Sequence, residues 1–342
     1  MMAVQTISGS DVFGPVHLSE SSDLGKTWSE PGPIFGLGRK ELPDGVQEGV
    51  CDTVPQHHPQ TDSVIFMGWN VYYRDEKLTR GNEERWPVYV VRRADGSWTG
   101  PRKLDWDNPA ANRIKGSNCS QRITLPDGDL LVPLTYGSYG REDRLVGTVL
   151  CSFDGEKLEV KKSGNALELA VRRGLLEPSI TFFQGKYYMT IRAEDERGYV
   201  SVSDDGLNWG EKKAWAWDDG GTLTMSTTQQ HWLQHNDWLH LVYTRKAEEN
   251  ANVMRWRAPI YASRFDEERM VLLRETEQVV VPMKGDGVNE PDQVARMGNF
   301  NVTNVTPDLS LVTVAETLPA QGWIGDTIQA NIRWSTPNRL VV

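Results

Sequence analysis

Two short stretches of the sequence share one turn chemistry, and they constrain the fold more than any other feature. Residues 21–28 and 203–209 each contain a serine, an aspartate two residues later, a glycine, and a tryptophan three residues after the glycine. In such a turn the aspartate bonds backbone amides of its own loop, glycine adopts a left-handed conformation, and tryptophan packs between neighbouring strands. The recurrence predicts a repeated four-stranded unit and therefore a β-propeller.

The composition agrees with an all-β chain. The 342 residues include 31 glycines, 18 prolines and 13 tryptophans. Many turns and many aromatic residues with few long apolar runs are typical of β proteins. No run approaches the roughly 18 apolar residues that a membrane span needs. We therefore expect a single domain over residues 1–342 and no membrane partner.

The charge and the cysteines limit the partners and the compartment. A formal net charge of −10 argues against nucleic acid, because phosphate binding needs a basic surface, but it allows a local basic pocket for an acidic sugar. The sequence shows no signal peptide, so we expect a cytoplasmic protein, with secretion or a periplasmic location open if the chain was trimmed. The three cysteines lack metal-type spacing and are expected to be buried free thiols. We expect neither a metal nor another cofactor.

Units of an inner strand, a polar turn, two further strands, a Gly/Asp turn and a fourth strand recur along the chain. The inner strands are predicted to start at Cys51, Cys119, Glu177, Gln229 and Asn299, and residues 1 to about 40 form one more unit. A two-sheet sandwich or two domains would be the alternative. Because the units recur evenly and no linker separates them, the sequence predicts a six-bladed β-propeller with four-stranded antiparallel blades.

The sequence resembles the sialidase (neuraminidase) superfamily, whose propellers carry Asp-box (BNR) repeats. The resemblance rests on the two turns, on the spacing of the units, and on the segments Glu177-Pro-Ser-Ile and Ile191-Arg-Ala-Glu. Degenerate forms of the turn lie at residues 94–98 and 152–155. The resemblance covers nearly the whole chain. It implies the fold more strongly than an activity, because Asp boxes also occur in non-catalytic propellers.

In a propeller the inner strands converge on one mouth, which is the usual ligand site. The predicted starts of these strands place the following polar residues there: Asp52, Asn118, Ser120, Glu177, Gln229, Gln230 and Asn299, with Arg122 and His231 one step deeper. The ends of the second strands add Asn70, Tyr72, Tyr136, Arg192, Glu194, Tyr243, Arg245 and Glu316. Such residues could merely hydrate a channel. So many ionisable groups at successive strand ends favour a reactive site.

The resemblance implies a chemistry for part of this set. In sialidases three arginines bind the substrate carboxylate, an aspartate is the acid/base, and a tyrosine activated by a glutamate is the nucleophile. Glu177 and Arg192 match the glutamate and the second arginine of the family. Asp11 lies near the position of the acid/base. The third arginine could be any one of three residues: Arg245, Arg255 or Arg257.

Two groups of the family pattern have no counterpart here. The first arginine, in an Arg-Ile-Pro motif, has no room before the first turn, and the position of the tyrosine reads Gly298-Asn-Phe-Asn. The sequence is therefore identified as an atypical member, and the resemblance implies an exo-glycosidase acting on a terminal acidic sugar of a glycan. The candidate catalytic residues are Asp11, Asp52, Glu177, His231 and Tyr243. The candidate substrate-binding residues are Arg122, Arg192, Glu194, Gln229, Gln230, Arg245, Arg257 and Asn299.

Two other functions stay open. A propeller-type polysaccharide lyase or a rhamnosidase-like hydrolase would act on uronic-acid glycans, with arginine neutralising the carboxylate and His231 or Tyr243 moving the proton. A non-catalytic glycan-binding propeller would account for the missing arginine and tyrosine. A lone strand histidine is more often structural than catalytic, so His231 alone does not decide between these functions.

Overall fold

The structure is a computed structural model that describes residues 1–9, 11–79 and 84–340. Its regular elements are β-strands and short 3-10 helices, and the strands form six sheets that are mainly antiparallel. The predicted fold class, an all-β six-bladed propeller, is confirmed. The chain divides into two compact units, Met1–Glu168 and Leu169–Val342, and each supplies three of the sheets. The prediction of a single domain stays a prediction.

The first unit contains sheets 1, 2 and 3. Sheet 1 consists of β1 Met2–Gly9, β2 Val12–Ser19 and β3 Gly32–Pro33. Sheet 2 consists of β4 Lys40–Glu41, β5 Val46–His58, β6 Ser63–Arg74, β7 Lys77–Leu78, β8 Pro87–Arg92 and β9 Trp98–Lys103. Sheet 3 consists of β10 Ile114–Gly116, β11 Ile123–Thr124, β12 Leu130–Gly137, β13 Leu145–Phe153 and β14 Leu158–Ser163.

The second unit contains sheets 4, 5 and 6. Sheet 4 consists of β15 Leu175–Phe183, β16 Lys186–Ala193, β17 Gly198–Ser203 and β18 Lys213–Ala214. Sheet 5 consists of β19 His231–His235, β20 Trp238–Tyr243, β21 Ile260–Asp266, β22 Val271–Leu272 and β23 Gln278–Val281, and sheet 6 of β24 Arg296–Thr306, β25 Leu309–Thr317 and β26 Thr327–Arg333. The 3-10 helices are Pro43–Gly45, Pro109–Ala111, Met254–Trp256, Arg274–Thr276, Pro291–Gln293 and Pro319–Gln321.

Strand number differs between the middle sheets and the end sheets. Sheets 2 to 5 contain a run of four strands in sequence order, whereas the described residues of sheets 1 and 6 form three strands each. In sheet 4 the serine–aspartate turn follows the third strand, β17, but in sheet 1 it follows β2. By this marker β1 and β2 correspond to the second and third strands of the other sheets. In the unit predicted over residues 1 to about 40, the described residues therefore supply no strand that corresponds to the inner strand of the other sheets.

Most inner strands begin earlier than the sequence predicts. β5 begins at Val46, β15 at Leu175 and β24 at Arg296, whereas we placed their starts at Cys51, Glu177 and Asn299. In β15 the residues before Glu177 pair with the end of the next strand, as Leu175 does with Ala193. The polar residues therefore lie within the inner strands rather than at their ends.

The two turns have the predicted hydrogen-bond chemistry. In the first, Asp23 Oδ1 accepts from the N–H groups of Lys26 and Thr27 at 3.0 and 2.9 Å, and Gly25 is left-handed with φ 82°. These amide bonds, led by that of Thr27, lower the pKa of Asp23 to about 2. The carboxylate therefore stays charged and holds the turn closed at neutral pH.

The second turn is one residue shorter between aspartate and glycine but repeats the pattern. Asp205 Oδ1 accepts from the N–H groups of Leu207 and Asn208 at 2.9 and 2.7 Å. Trp209 is buried at 4% exposure, as expected for a residue that packs between strands, while Trp28 of the first turn is half-buried. The sequence analysis missed a related turn at Asp286, which accepts from the N–H groups of Val288 and Asn289 at 2.9 Å each.

Apolar cores lie between successive sheets inside each unit. In the first unit Ile65 and Met67 of sheet 2 pack with Val132 and Leu134 of sheet 3. In the second unit a tryptophan-rich core joins sheets 4 and 5, and a further core containing Phe300 joins sheets 5 and 6. These apolar side chains cover the faces of the sheets. The polar residues of the inner strands are therefore not needed to build the cores.

The three cysteines are free and buried, as the sequence predicts. Burial raises the pKa of Cys151 to about 12, so its thiol stays protonated and unreactive at neutral pH. Within the described ranges, no helix reaches the length and apolar character that crossing a bilayer requires.

Candidate functional site

The inner strands are interrupted where the sequence analysis placed its polar residues. The pairing register shifts between Cys51 and Val54 in β5, between Leu176 and Ser179 in β15, and between Gly298 and Asn301 in β24. The residue at each interruption has a left-handed backbone: φ is 56° at Asp52, 45° at Glu177 and 53° at Asn299. Such interruptions redirect side chains out of the sheet, and they are frequent at functional sites.

Local sequence explains the interruption at Glu177. Pro178 has no N–H to donate to β16, so the ladder loses a hydrogen bond beside the interruption. Glutamate is strained in a left-handed conformation. Aspartate and asparagine, which occupy the corresponding positions in β5 and β24, tolerate it better. The fold thus holds Glu177 in a costly backbone conformation.

Glu177 is bound to an arginine of the neighbouring strand. Arg192, near the end of β16, donates from Nη1 to Glu177 Oε1 at 2.7 Å, and the two side chains are 7% and 14% exposed. Arg192 Nε also donates to Thr227 Oγ1 at 3.0 Å. The arginine is therefore oriented by one charged and one neutral partner. Thr227, which is not among the sequence candidates, stands two residues before the candidate Gln229.

Two further arginines act on the same carboxylate. Burial pushes the pKa of Glu177 up, but attraction by Arg192, and then by Arg257 and Arg173, outweighs it and holds the pKa below its ordinary 4.5. The carboxylate is therefore ionised at neutral pH, which suits a positioning or activating group better than a general acid.

Glu194 provides a second carboxylate in this cluster. Arg173 Nε donates to Glu194 Oε1 at 2.9 Å, and the backbone N–H of Arg173 donates to Oε2 at 3.3 Å. Burial would raise the pKa of Glu194, but Arg173 holds it below its usual range. We name Arg173, Glu177, Arg192, Glu194 and Arg257 the arginine cluster. Its three guanidinium groups exceed its two carboxylates by one positive charge, which favours an anionic ligand.

Arg257 is placed by a tight loop and a glycine. It follows Arg255 and Trp256, which both have left-handed backbones with φ of 56° and 48°, and its carbonyl accepts from the N–H of Met297 at 3.1 Å. A Cβ on Gly298 would lie 2.8 Å from Arg257 Nη1. Gly298 therefore leaves the space that the Arg257 guanidinium occupies beside the β24 interruption.

His231, a candidate catalytic residue, is fully buried at 0% exposure. Its Nδ1 lies 3.1 Å from Ser179 Oγ, and its ring contacts that of Phe300 edge to face at 5.1 Å. Burial lowers the pKa of His231 to about 4, although the Phe300 backbone and Glu177 act against this. The neutral ring joins sheets 4, 5 and 6. Its role as a base stays a prediction, and that role would require exposure to substrate.

Gln229 and Gln230 are buried at 0% and 1% exposure. The Gln229 amide, oriented with its oxygen toward β24, accepts from the N–H groups of Asn299 and Phe300 at 2.7 and 2.9 Å. Gln230 Oε1 accepts from Thr190 Oγ1 of sheet 4 at 2.5 Å. These amides tie neighbouring sheets together, while Asn299 itself is exposed. Substrate contacts of the three residues stay predictions.

Tyr243 and Arg245 form a different cluster in sheet 5. Tyr243 OH and Arg245 Nε donate to Glu277 Oε1 at 2.6 and 2.8 Å, and the Arg245 guanidinium lies 4.4 Å from the centre of the Tyr261 ring. Burial, then Glu277, raises the pKa of Tyr243 well above its ordinary value. A tyrosine with this pKa is a poor nucleophile at neutral pH.

Three candidates lie in the first unit. Asp11 is exposed in the turn between β1 and β2, with φ 59°. Asp52 is half-buried, and its Oδ2 accepts from Trp69 Nε1 at 3.2 Å. Arg122 is buried and donates to Gln56 Oε1 and to the carbonyl of Val54. That Asp11, Asp52 or Arg122 acts together with the arginine cluster stays a prediction.

Sequence reasoning missed Arg173 and Thr227. Arg173 stands four residues before Glu177 and outside any strand, so strand patterning gave no signal for it. Thr227 is the first residue of a polar run, residues 227–231, that is visible in the sequence. Giving neutral hydroxyl groups the same weight as charged groups would have included it. Within the described parts of the chain, no group of three or more His, Cys, Asp or Glu side chains is placed to hold a metal ion.

Comparison with known proteins gives the fold alone. No family model and no curated protein matches the sequence. The solved structures that match with low identity include a protein of unknown function from Dyadobacter fermentans (TM-score 0.62, 14% identity, 93% of this chain and 82% of that one), the Trypanosoma rangeli sialidase (0.64, 14%, 94% and 50%), and the Hadza microbial sialidase Hz136 (0.64, 15%, 96% and 60%). The chain thus spans only 50% and 60% of the length of the two sialidases.

Proposed function

We propose that this protein is a glycan-processing enzyme that acts on a terminal acidic sugar. The observation that carries the proposal is the arginine cluster: a strained, ionised Glu177 with Arg192 on its carboxylate and the charges of Arg257 and Arg173 close by. The sialidase-like fold is consistent with a sugar ligand, and the net positive charge of the cluster selects an anionic one.

In this proposal the arginines bind the sugar carboxylate and orient the sugar. Guanidinium groups offer paired donors in a fixed plane, which suits a carboxylate. Glu177 would keep Arg192 in position and add a negative charge beside the sugar ring, where positive charge develops as a glycosidic bond breaks. Asp11 is the proposed acid/base on the strength of the sialidase resemblance, and its side chain is exposed.

A second candidate function is glycan binding without turnover. It is favoured by Asn299, which occupies the position where the resemblance calls for a tyrosine and whose N–H is bound by Gln229. The lyase alternative has less support, because His231 has no exposed surface. Binding and hydrolysis share the arginine cluster, so only a measurement of turnover separates them.

The test is a screen of fluorogenic sialosides, glucuronides and neutral glycosides with wild type, Arg192→Met and the control Arg339→Met, whose side chain is 73% exposed. We expect acidic substrates alone to be cleaved, and Arg192→Met to reduce kcat/KM by about 100- to 1,000-fold, as loss of one charge-stabilising donor does. Circular dichroism checks that both variants are folded.

Three outcomes bear on the proposal. Equal turnover by wild type and Arg192→Met would contradict the assignment of the arginine cluster. Saturable binding of an acidic sugar without release of product over days, lost in Arg192→Met, would support the second function. Cleavage of neutral glycosides alone would reject an acidic substrate.

A further inference from the structure

Arg122 in the first unit is a buried cation whose bonding partners are neutral. It immediately precedes β11 and is 8% exposed. Its Nε donates to Gln56 Oε1 at 2.9 Å, and its Nη2 donates to the carbonyl of Val54 at 2.8 Å. Burial lowers the pKa of Arg122 to about 10 and is the one cause of that shift, so no described acidic group offsets the burial. The guanidinium still carries its charge at neutral pH.

Two other arginines of low exposure, 7% for the Arg192 side chain and 20% for that of Arg245, are paired with carboxylates. Arg192 is bound by Glu177, and Arg245 by Glu277. An arginine removed from water without an opposite charge is unfavourable, and proteins ordinarily pair such a charge. Arg122 therefore lacks the one partner that its burial calls for.

The geometry shows where that partner would bind. Nε and Nη2 form one edge of the planar guanidinium, and both donate to β5, so Nη1 is directed away from that edge. Nη1 is buried, and none of the residues that the structure describes accepts a hydrogen bond from it. Thr53 Oγ1, one residue before Val54, is also buried and without a partner. A buried cationic donor without an acceptor among the described residues indicates a polar occupant at Nη1.

We propose that Arg122 Nη1 binds a small inorganic anion, with chloride as the representative ion. A water molecule could accept the hydrogen bond, but it would not balance the charge. The 8% exposure of Arg122 leaves little access for a sugar ring, so a small ion fits better than a substrate carboxylate. The ion lies where Arg122, just before β11 of sheet 3, meets β5 of sheet 2, and it stabilises the first unit independently of the arginine cluster.

Thermal unfolding tests this site. Wild type, Arg122→Gln and Arg102→Gln are compared at constant ionic strength while sodium methanesulfonate is replaced by sodium chloride or bromide. Arg102 is the matched control, because its Nη2 already donates to Glu156 at 3.1 Å. We expect a saturable rise in Tm of about 2–4 °C for wild type and Arg102→Gln, as for a ligand that binds only the folded state, and none for Arg122→Gln.

A measurement on wild type alone guards against a variant that does not fold. The chloride-35 NMR line should broaden in the presence of the protein. Added bromide should reverse this broadening by displacing chloride, with a stoichiometry of one site per chain. The proposal is overturned if wild type gives no saturable response in either experiment, or if Arg122→Gln responds as wild type does. A Tm rise with glucuronate and none with halides would also overturn it and would assign Arg122 to a sugar carboxylate.

Discussion

Two buried arginine–glutamate pairs lie in neighbouring sheets of the second unit, and their surroundings differ. Glu177 and Arg192 are 14% and 7% exposed, and Glu277 and Arg245 are 14% and 20% exposed. Burial therefore does not distinguish them. The difference lies in what else reaches each carboxylate and in the backbone that carries it.

The Glu277 pair is satisfied from within sheet 5. One oxygen accepts from Tyr243 OH and Arg245 Nε, the other accepts from Arg245 Nη2, and Tyr261 stacks against the guanidinium. Glu177 instead has a left-handed backbone and feels the charges of Arg257 and Arg173 in addition to Arg192. A saturated pair stabilises a fold. A strained carboxylate with an excess of cations is the arrangement expected of a ligand site.

The largest expected effect is on stability, and it sets the two pairs apart. Arg245→Met removes the guanidinium that is bonded to both oxygens of Glu277, and we expect the free energy of unfolding to fall by about 3–5 kcal/mol, as when one partner of a buried pair is lost. Arg192→Met should cost about 1–2 kcal/mol, because Arg257 and Arg173 still attract Glu177. Urea denaturation of both variants measures the difference.

Equal losses in the two variants would contradict the comparison, because they would mean that the extra arginines do not compensate for Arg192. The double variant Arg192→Met with Arg257→Met sharpens the test. It should lose more than the sum of the single changes, since it removes the compensating charge as well.

The blade pattern could be predicted from sequence because its signals are local. The serine–aspartate turns act within a few residues, and strands such as Pro87–Arg92 show continuous β-branched and aromatic patterning. The starts of the inner strands could not be predicted. Leu175 and Arg296 pair with strands that follow later in the chain, and the interruption at Glu177 made a position within a strand look like its beginning.

For the candidate site, the sequence predicted Glu177 and Arg192, which the structure joins in one ion pair, but it could not tell which further arginine lies near them. Arg245 and Arg257 are both reasonable at this level. The choice depends on Glu277, a distant acidic residue that engages Arg245, and on Gly298, which makes room for Arg257. Similarly, the polar run ending at His231 indicates a site in the sequence, whereas in the fold its side chains are buried between sheets. Both outcomes depend on tertiary contacts that no local pattern encodes.

The next expected effect is a loss of stability in acid. It concerns His231, a buried residue that interacts electrostatically with Glu177. The folded protein keeps His231 neutral down to about pH 4, whereas an unfolded chain binds the proton below its ordinary pKa of 6.5. Stability is therefore lost as the pH falls from about 6.5 to 4, by up to about 3 kcal/mol from this residue. His240, whose pKa is also lowered to about 4 by burial, adds a loss in the same direction.

Denaturation at a series of pH values checks this. His231→Asn, which retains a polar atom near Ser179 Oγ, should flatten the stability profile between pH 6.5 and 4 relative to wild type. His57→Asn is the matched control, because the His57 side chain is 57% exposed. If His231→Asn keeps the full acid sensitivity of wild type, the buried neutral ring is not its source, and exposure of His231 to a ligand becomes the better interpretation.

The smallest effect isolates Arg257 without removing any charge. In Gly298→Ala the new Cβ would lie 2.8 Å from Arg257 Nη1, so the end of that flexible side chain must move away from β24. Gly298 does not have a left-handed backbone, so alanine is tolerated there and the free energy of unfolding should change by less than about 1 kcal/mol.

If Arg257 binds the ligand carboxylate, the affinity of Gly298→Ala for an acidic sugar should fall about tenfold, which corresponds to about 1.4 kcal/mol. Calorimetric titration of sialic acid or glucuronate into wild type, Gly298→Ala and the exposed control Gly38→Ala, where a Cβ would meet no atom within 4 Å, measures this. Unchanged affinity in Gly298→Ala would remove Arg257 from the ligand site, leaving Arg173 as the cation that distinguishes the Glu177 pair from the Glu277 pair.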